Sequence, residues 1–232
     1  MIYNDVCPYC RNRMNQIEND PLCKSVEHLI PNTALTIRRG KGEGDFYACR
    51  ACNIGKSNID YVLGVIAKFQ SKDVEMAISS VQKALDNPGR KNRFLDMIVS
   101  ANIVGAEAHM PLPVTQKEIS GYINYLAKGQ YYKLNQKPLS LKKNIVVFQF
   151  INKQVIRYLE KGYQNQHGSM PIQDLHLNPK SEVIADGECV IHSGKDKYLF
   201  FFQEGLAFII EIRPKNNKNL RRREKFLSDF NK

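Results

Sequence analysis

Four cysteines of this chain have a spacing that directly predicts metal chemistry. They form two Cys-x-x-Cys pairs, Cys7-Pro-Tyr-Cys10 and Cys49-Arg-Ala-Cys52. Each pair can form a turn that brings both sulfur atoms to one side, and two such turns supply the four thiolates of a tetrahedral Zn²⁺ site. The spacing therefore predicts that Cys7, Cys10, Cys49 and Cys52 bind one structural zinc ion.

Further groups suited to metal and proton chemistry lie between the pairs and directly after them. Glu27 and His28 precede a Leu-Ile-Pro run, and Asn53 and Lys56 follow Cys52. A neutral imidazole, with a pKa of about 6.5, accepts a proton from water at cellular pH. Carboxylate and amide oxygens are the ligands that hard cations such as Mg²⁺ prefer. The region therefore combines a candidate base with candidate ligands for a second metal ion.

In this order the residues resemble the HNH family of nucleases, in its four-cysteine, zinc-bound branch (the ββα-metal or His-Me finger fold). The family pattern is Cys-x-x-Cys, then an acidic residue with His-apolar-apolar-Pro, then Cys-x-x-Cys-Asn-x-x-Lys. The chain has Cys7-x-x-Cys10, Glu27-His28-Leu-Ile-Pro31 and Cys49-x-x-Cys52-Asn53-x-x-Lys56. The resemblance covers residues 1–60, about a quarter of the chain.

The resemblance implies a treble-clef-like module in which a structural zinc ion clamps a β-hairpin to a helix. It also implies that His28 is the general base, and that Glu27 and Asn53 are catalytic residues that hold Mg²⁺ or Mn²⁺. The implied reaction is metal-assisted hydrolysis of a phosphodiester bond to 5′-phosphate and 3′-hydroxyl ends. The expected activity is therefore that of an endonuclease.

Two positions depart from the family pattern, and one of them is Glu27, where the family frequently has aspartate. Members of the family usually have an asparagine on the approach to the second strand, where it fixes the loop that carries the catalytic histidine. The corresponding neighbourhood of this chain is Gly44-Asp45-Phe46. Either Asp45 holds that loop instead, or the support is missing. In the second case the activity is weak. The missing asparagine also supports an alternative function, that of a catalytically inactive, zinc-stabilised protein that binds nucleic acid.

The distribution of charge indicates a polyanionic partner. The net charge is +11, and residues 1–60 hold eight Lys and Arg against seven Asp and Glu, so the excess lies in residues 61–232. Lys128–Tyr158 contains seven basic residues and no acidic ones. We therefore expect nucleic acid as the partner, with DNA favoured, and binding that weakens as salt rises. The expected contacts are Arg38, Arg39, Lys41, Lys56, Lys142, Lys143, Arg221, Arg222 and Arg223.

The elements that must position the site residues follow from the periodicity of apolar side chains. Ser25–Ile30 and Phe46–Ala48 are predicted strands, and the segment after Cys52 has helical character. Val74–Leu85 repeats apolar residues at helical spacing. Thr115–Glu118 has the form of a capping box, which predicts the start of another helix.

The remainder of the chain divides into a helix-rich and a strand-rich part. Leu141–Leu159 fits both patterns, and its length favours a helix. Asp186-Gly187 is a strong hairpin dipeptide between two strand patterns. Helices are therefore expected over about 61–162, a β meander over about 182–213 and a basic tail over 214–232.

The predicted fold class is α+β, with a nuclease module at 1–60 and an accessory, substrate-binding domain at 61–232. The apolar runs are too short to span a bilayer, and the N-terminus lacks the features of a signal peptide. We therefore expect a cytoplasmic protein without membrane partners. The sequence leaves open whether the chain forms a homodimer or binds a partner protein.

A second interpretation applies to the first cysteine pair, since Cys7-Pro-Tyr-Cys10 looks like the active site of a glutaredoxin. Such a thiol-disulfide oxidoreductase needs an amphipathic helix directly after the second cysteine, within a βαβ unit. In this chain Arg11–Asp20 leads instead to Pro21, and the second cysteine pair would have no role.

Overall fold

Helices and antiparallel sheets make up the described part of the chain. The computed structural model describes residues 1–69, 73–87, 89, 91–105, 107–168, 171–185, 187–203, 205–216 and 218–221. The mixture of α-helices and antiparallel strands in these residues agrees with the predicted α+β class. No helix among them is both long and apolar enough to cross a bilayer.

A β-hairpin near the N-terminus consists of β1 (Lys24–Glu27) and β2 (Phe46–Cys49). The strands are antiparallel, with Lys24 opposite Cys49 and Glu27 opposite Phe46. Both strands are predicted by the sequence. The register places the end of β1 beside the start of β2, so the long connection between them leaves and returns at the same end of the hairpin.

The connection, residues 28–45, is a loop with two short 3-10 helices at Asn32–Ala34 and Lys41–Glu43. β1 ends at Glu27, three residues before the predicted end. The reason is that the Leu29 N–H donates to the Asp45 carboxylate at 2.7 Å instead of to the backbone of β2. The loop therefore begins at His28.

The helix α1 (Arg50–Phe69) follows β2 without a break and packs against this loop. A Cβ atom at Gly64 would lie 2.5 Å from Thr33 Oγ1 and 2.7 Å from the Thr33 carbonyl carbon, so glycine permits the loop and the helix to touch. Thr33 Oγ1 also donates to the Asp60 carbonyl at 2.9 Å. The hairpin, its loop and α1 are therefore one packed unit.

Two further helices and a small hairpin follow α1. These elements are α2 (Val74–Leu85), α3 (Lys91–Val99), β3 (Asn102–Val104) and β4 (Glu107–His109). The bounds of α2 match its predicted apolar repeat. Asp73 caps α2 by accepting a hydrogen bond from the Met76 N–H at 3.0 Å.

The helix α4 (Gln116–Asn135) begins at the predicted capping box. Glu118 N–H donates to Thr115 Oγ1 at 3.2 Å, and Thr115 N–H donates to the Glu118 carboxylate at 2.7 Å. Farther along α4, a Cβ atom at Gly129 would lie 2.2 Å from Leu29 Cδ2. The lack of a side chain at Gly129 therefore lets α4 approach the loop beside His28.

A five-stranded antiparallel sheet forms the C-terminal part of the fold. Its strands are β5 (Asn144–Asn152), β6 (Ser181–Ile184), β7 (Cys189–Ser193), β8 (Lys197–Phe202) and β9 (Leu206–Pro214). The spatial order is β5-β9-β8-β7-β6, so the predicted meander is confirmed. Gly187 has a positive φ of 96° at the turn between β6 and β7, and Asp186 lies outside the described residues.

The prediction of a single helix over Leu141–Leu159 is wrong. β5 occupies Asn144–Asn152, and a helix, α5 (Lys153–His167), begins only after it. All nine residues of β5 pair with β9. Pairing along this length, with a partner some 60 residues away, outweighs the local helical spacing. A further helix, α6 (Pro171–Leu177), precedes β6.

One hydrophobic core joins the N-terminal hairpin to the rest of the chain. Phe46 of β2, Leu63 of α1, Leu126 of α4 and Phe208 of β9 belong to the same cluster, and each is fully buried. The expected domain boundary at residue 60 falls inside α1. The N-terminal hairpin is therefore held by contacts with α4 and the sheet.

Candidate functional site

The four paired cysteines converge on one point. The sulfur atoms of Cys7, Cys10, Cys49 and Cys52 all lie within 4.8 Å of one another. Cys10 Sγ is 3.7 Å from Cys49 Sγ. This distance is close to the edge of about 3.8 Å in a tetrahedron whose metal–sulfur bonds are about 2.3 Å. The cluster therefore fits one Zn²⁺ ion, as the spacing predicts.

Two different local structures present the two pairs. The first pair lies in a turn in which the Arg11 N–H donates to the Cys7 carbonyl at 2.8 Å, and Arg11 has a left-handed backbone with φ of 69°. In the second pair, Cys49 ends β2 and Cys52 lies in the first turn of α1. The N-terminal end of a helix favours a negatively charged sulfur. A metal ion at this point would join the turn, the hairpin and α1.

Hydrogen bonds among the thiols shift their pKa values in opposite directions. A hydrogen bond from the Cys52 thiol lowers the pKa of Cys7 to about 4, against the opposing effect of burial. The same interaction raises the pKa of Cys52, because the second thiol must keep its proton beside a thiolate. A zinc ion bound here would displace the thiol protons, because the thiolate is the form that binds the metal.

The chain after Cys10 differs from that of a thiol-disulfide oxidoreductase. It runs back along the preceding segment, with Val6 bridged to Arg13 in antiparallel fashion. A redox site of the glutaredoxin kind needs a helix at this point. All six cysteines are free thiols. The redox interpretation therefore lacks the local structure on which it depends.

α4 holds the turn that carries the first cysteine pair. Tyr9, between Cys7 and Cys10, is buried, with its ring 4.8 Å from that of Tyr125 on α4. Lys128 Nζ donates to the Tyr9 carbonyl at 2.8 Å. The orientation of this turn is thus set by residues more than 100 positions away in the sequence.

His28 lies directly after β1 and is half-buried. Its Nε2 atom is 3.4 Å from the Gly40 carbonyl oxygen of the same loop. Burial, together with the nearby positive charge of Arg39, lowers the pKa of His28 below its usual value. The imidazole is therefore neutral at neutral pH, which is the form that can accept a proton.

Asp45 holds the loop that carries His28, which confirms the first of the two alternatives left open by the sequence. Its Oδ2 atom accepts a hydrogen bond from the Leu29 N–H at 2.7 Å, and its own N–H donates to the Glu27 carbonyl at 2.8 Å. The residues on both sides of His28 are therefore bonded to Asp45. Asp45 thus fixes the backbone of this loop on both sides of His28, through its carboxylate at Leu29 and its N–H at Glu27.

Glu27 and Lys56 form a buried ion pair instead of facing solvent. Glu27 Oε1 is 3.0 Å from Lys56 Nζ, and each side chain is at most 2% exposed. Lys56 Nζ also donates to the Asp60 carboxylate at 2.8 Å and to the His28 carbonyl at 3.0 Å. Burial raises the pKa of Glu27 to about 7, although Lys56 opposes the shift.

This placement bears on two expectations from the sequence. The Glu27 carboxylate is enclosed beside Lys56, so its expected role as a ligand of the catalytic metal does not fit this arrangement. Lys56 is 1% exposed, and its ammonium is occupied, so it does not fit the expected contact with nucleic acid. Both residues instead fix the end of β1, and with it the backbone of His28, to α1.

Asn53 links α1 to β1 on the side of the cysteine cluster. Its Nδ2 atom donates to Ser25 Oγ and to the Val26 carbonyl, both at 2.8 Å. An amide nitrogen has two protons, so both are directed at β1 and only Oδ1 is left to interact with another group. That oxygen is the atom that the expected metal-binding role requires.

Among the expected nucleic-acid contacts near the site, Arg38 is exposed and Arg39 is partly engaged. Arg39 Nη1 is 3.8 Å from Asp45 Oδ2, and its other amino group donates to the Ile30 carbonyl. Both arginines line a cleft of about 620 Å³ between the loop and β6, which Glu43 and Glu182 also line. The side chain of Lys41 lies outside the described part of the chain.

The remaining expected contacts lie on the C-terminal part of the chain. Lys142 and Lys143 are exposed in the turn before β5, and Arg221 is also exposed. Arg222 and Arg223 lie outside the described residues. Within the acid-free segment Lys128–Tyr158, Lys128 and Lys133 are engaged inside the protein. That segment is therefore less available to a polyanion than its composition indicates.

Several residues of the site carry no signal in the sequence. Lys133 contacts Asp45 directly, and Glu182 contacts Lys133. Lys133 and Glu182 lie 88 and 137 residues away from Asp45 in the sequence. Only the pair of Lys56 and Asp60, four residues apart on one helix face, could have been found from spacing.

Comparisons with protein-family models, with curated proteins and with solved structures found no match to this chain. Its function is therefore argued from the geometry of the cysteine cluster and of the residues around His28.

Proposed function

We propose that residues 1–60 form a zinc-stabilised, HNH-type endonuclease site that hydrolyses phosphodiester bonds in nucleic acid. The observation that carries the proposal is the convergence of four cysteine sulfurs beside a hairpin and helix that bear His28 and Asn53. The amide of Asn53 donates to the carbonyl of Val26, two residues before His28. DNA is the first substrate to test, since the net charge of +11 favours a polyanion.

His28 acts as the general base in this proposal. Its neutral imidazole takes a proton from a water molecule as the water oxygen attacks phosphorus and the 3′ oxygen leaves. The family resemblance implies 5′-phosphate and 3′-hydroxyl ends. The hydrogen bonds from Asp45 and Lys56 to the backbone around His28 support this role, because a general base must be held at a fixed distance from its proton.

Asn53 is the protein ligand that fits a catalytic divalent cation. Bound Mg²⁺ or Mn²⁺ would stabilise the developing negative charge on the phosphate and on the leaving oxygen. We leave Glu27 out of the ligand set because its carboxylate is enclosed beside Lys56. Mg²⁺ needs only one or two protein oxygens when water and substrate phosphate complete its coordination shell.

The test is cleavage of supercoiled plasmid by purified, zinc-loaded protein in the presence of Mg²⁺ or Mn²⁺. We expect nicking that requires the divalent cation, that is lost in His28→Ala and that is reduced in Asn53→Ala. The zinc content of His28→Ala should equal that of the wild type, because His28 lies outside the cysteine cluster. Nicking that persists in His28→Ala would rule out the assigned base.

A zinc-stabilised protein that binds nucleic acid without cutting it is the second candidate. The specific observation in its favour is the burial of Glu27, which removes one of the two oxygen donors that the family pattern offers. Salt-sensitive binding of DNA without cleavage under either metal would favour this candidate. Cleavage lost in His28→Ala would exclude it.

A further inference from the structure

Lys133 joins two carboxylates that are far apart in the sequence. Its Nζ atom lies 2.6 Å from Asp45 Oδ1 and 2.6 Å from Glu182 Oε2. Asp45 precedes β2, and Glu182 belongs to β6, so α4 places an ammonium between the N-terminal hairpin and the five-stranded sheet. The side chain of Lys133 is 17% exposed and that of Asp45 is 4% exposed, so little water competes for the pair.

Asp45 extends this connection to the backbone on both sides of His28. It accepts a hydrogen bond from the Leu29 N–H and donates one to the Glu27 carbonyl. Hydrogen bonds to an ionised group are roughly twice as strong as those between neutral groups. The carboxylate that fixes the His28 loop is therefore itself fixed by α4.

α4 contacts the same segment a second time, one helical turn earlier. Gly129 is four residues before Lys133, and a Cβ atom at Gly129 would lie 2.2 Å from Leu29 Cδ2. Residues four apart lie on one face of a helix. The face that packs against Leu29 is therefore also the face that presents the ammonium to Asp45.

The charges of this cluster balance only when Lys133 is present. Asp45 and Glu182 supply two negative charges, and Lys133 and Arg39 supply two positive ones. Arg39 is the weaker partner, at 3.8 Å from Asp45. Loss of Lys133 would leave two carboxylates facing one distant guanidinium, which favours movement of Asp45 and of the loop that it holds.

We propose that Lys133 and Glu182 are positioning residues for His28, so that α4 and the sheet set the geometry of a site whose reacting groups lie in residues 1–60. This inference rests on the proposed role of His28 as general base. It gives the C-terminal part of the chain a function in the reaction beyond substrate binding. Misplacement of a catalytic group by about 1 Å can cost roughly 100-fold in rate.

The experiment compares Lys133→Met, Lys133→Arg and Glu182→Gln with the wild type. Lys117→Met is the matched control, since Lys117 is an exposed lysine in the first turn of the same helix. The first readout is kcat and KM for Mg²⁺-dependent plasmid nicking by the full chain. The second is amide hydrogen exchange of peptides that cover residues 28–45 and of peptides from α1, which does not depend on activity.

We expect Lys133→Met to lower kcat by about tenfold or more, with KM within about twofold of the wild-type value. Lys133→Arg should restore most of the rate, because it keeps the cation. Exchange over residues 28–45 should be faster in Lys133→Met, with no change in α1 and no loss of zinc. Glu182→Gln should show the same pattern at smaller size, and it provides the test if Lys133→Met does not fold.

Wild-type kcat and wild-type exchange in both Lys133→Met and Glu182→Gln would overturn the inference. A fall in kcat that comes with lost zinc or a large rise in KM would also count against positioning. If the wild type cleaves no substrate, the proposed function fails, and the exchange data then decide separately. Unchanged exchange in Lys133→Met would show that Lys133 does not hold the loop that carries His28. Faster exchange over residues 28–45 alone would show that it does.

Discussion

Buried charged residues hold the backbone on both sides of His28. Lys56 pairs with Glu27 and donates to the His28 carbonyl, and Asp45 accepts a hydrogen bond from the Leu29 N–H. Charged side chains are rarely buried unless they are paired. Together these contacts fix the backbone of one short segment around His28.

Replacement of Asp45 tests how firmly this segment is held. Asp45→Ala would leave the Leu29 N–H and the Lys133 ammonium without their partner, and we expect it to lower the free energy of unfolding by about 3 kcal/mol. Asp5→Ala is the control, because Asp5 forms an exposed ion pair with Lys24 and its loss should change stability little. Urea unfolding of the zinc-loaded proteins measures the free energy of unfolding of both variants. Equal, small decreases in the two variants would mean that Asp45 does not hold this segment in place.

Glu27 should make stability depend on pH in a characteristic direction. Burial raises its pKa from 4.5 to about 7 in the folded protein, so the folded state holds a proton that the unfolded state releases. The resulting stability is present below pH 4.5 and is lost as pH rises through about 7. In Glu27→Gln this loss should disappear.

The measurement is the difference in free energy of unfolding between wild type and Glu27→Gln, with zinc present, from about pH 5 to about pH 8. The effects of pH on the cysteines are common to both proteins and cancel in the difference. We expect the wild type to lose stability relative to the variant as pH rises. A constant difference, or one that increases with pH, would contradict the placement of Glu27.

At the scale of single residues, the sequence identifies groups by chemistry but not by orientation. The four cysteines and His28 stand out because metal and proton chemistry depend on residue type and spacing. Glu27 stands next to His28 in the sequence, and yet its side chain points into the protein. Adjacent residues near the end of a strand face opposite sides, and only the packing of α1 decides which side is buried.

Among the elements, the contact between α1 and the loop is tested by a pair of glycines. Gly64→Ala would bring a methyl group within 3 Å of the Thr33 carbonyl carbon and of its Oγ1 and Cβ atoms. We expect it to lower the free energy of unfolding by at least about 1 kcal/mol, although alanine is the better helix former. A Cβ at Gly121 of α4 would have no neighbour within 4 Å among the described residues, so Gly121→Ala should raise stability by up to about 1 kcal/mol.

Thermal or urea unfolding of the two variants checks whether the two substitutions change the free energy of unfolding in opposite directions. Stabilisation by both substitutions would mean that the loop does not rest on α1 at Thr33. Such a result would leave the loop held to α1 by side-chain contacts such as that of Lys56, and the position of His28 would be less defined than proposed.

Elements with local signals are the ones that the sequence predicts correctly. The capping box locates the start of α4, and short apolar segments separated by turn residues locate β6 to β9. β5 is the failure, because its apolar residues also fit helical spacing and its pairing partner, β9, lies far along the chain. The length of β1 is likewise set by a distant group, the Asp45 carboxylate.

For the whole molecule, the excess of positive charge predicts how binding responds to salt. The double variant Lys142→Gln/Lys143→Gln removes two exposed cations and should reduce the slope of log affinity for DNA against log salt by about 1 to 2. A Lys83→Gln/Lys117→Gln variant removes the same charge from exposed positions on α2 and α4. Fluorescence-anisotropy titrations measure the slope for both double variants. An equal reduction in the two would show that net charge, and not the surface at Lys142 and Lys143, determines binding.

The arrangement of the whole chain is the part that the sequence does not predict. Composition separates residues 1–60 from the remainder, whereas the structure joins them through one core and through Lys128 and Lys133 of α4. These contacts connect positions about 90 to 120 residues apart and leave no periodic pattern. They explain how a module of only 60 residues can hold a site in place, because its core continues into α4 and the sheet.

We propose that one zinc ion on four cysteines joins the N-terminal turn, the hairpin and α1, and both candidate functions depend on this ion. Elemental analysis of the purified chain measures whether the ion is there. We predict one zinc ion per chain, lost in Cys10→Ser and in Cys52→Ser, with unfolding of the hairpin region when a strong chelator removes the metal. A metal-free protein with disulfides within its cysteine pairs, or one that keeps its fold without zinc, would contradict the account.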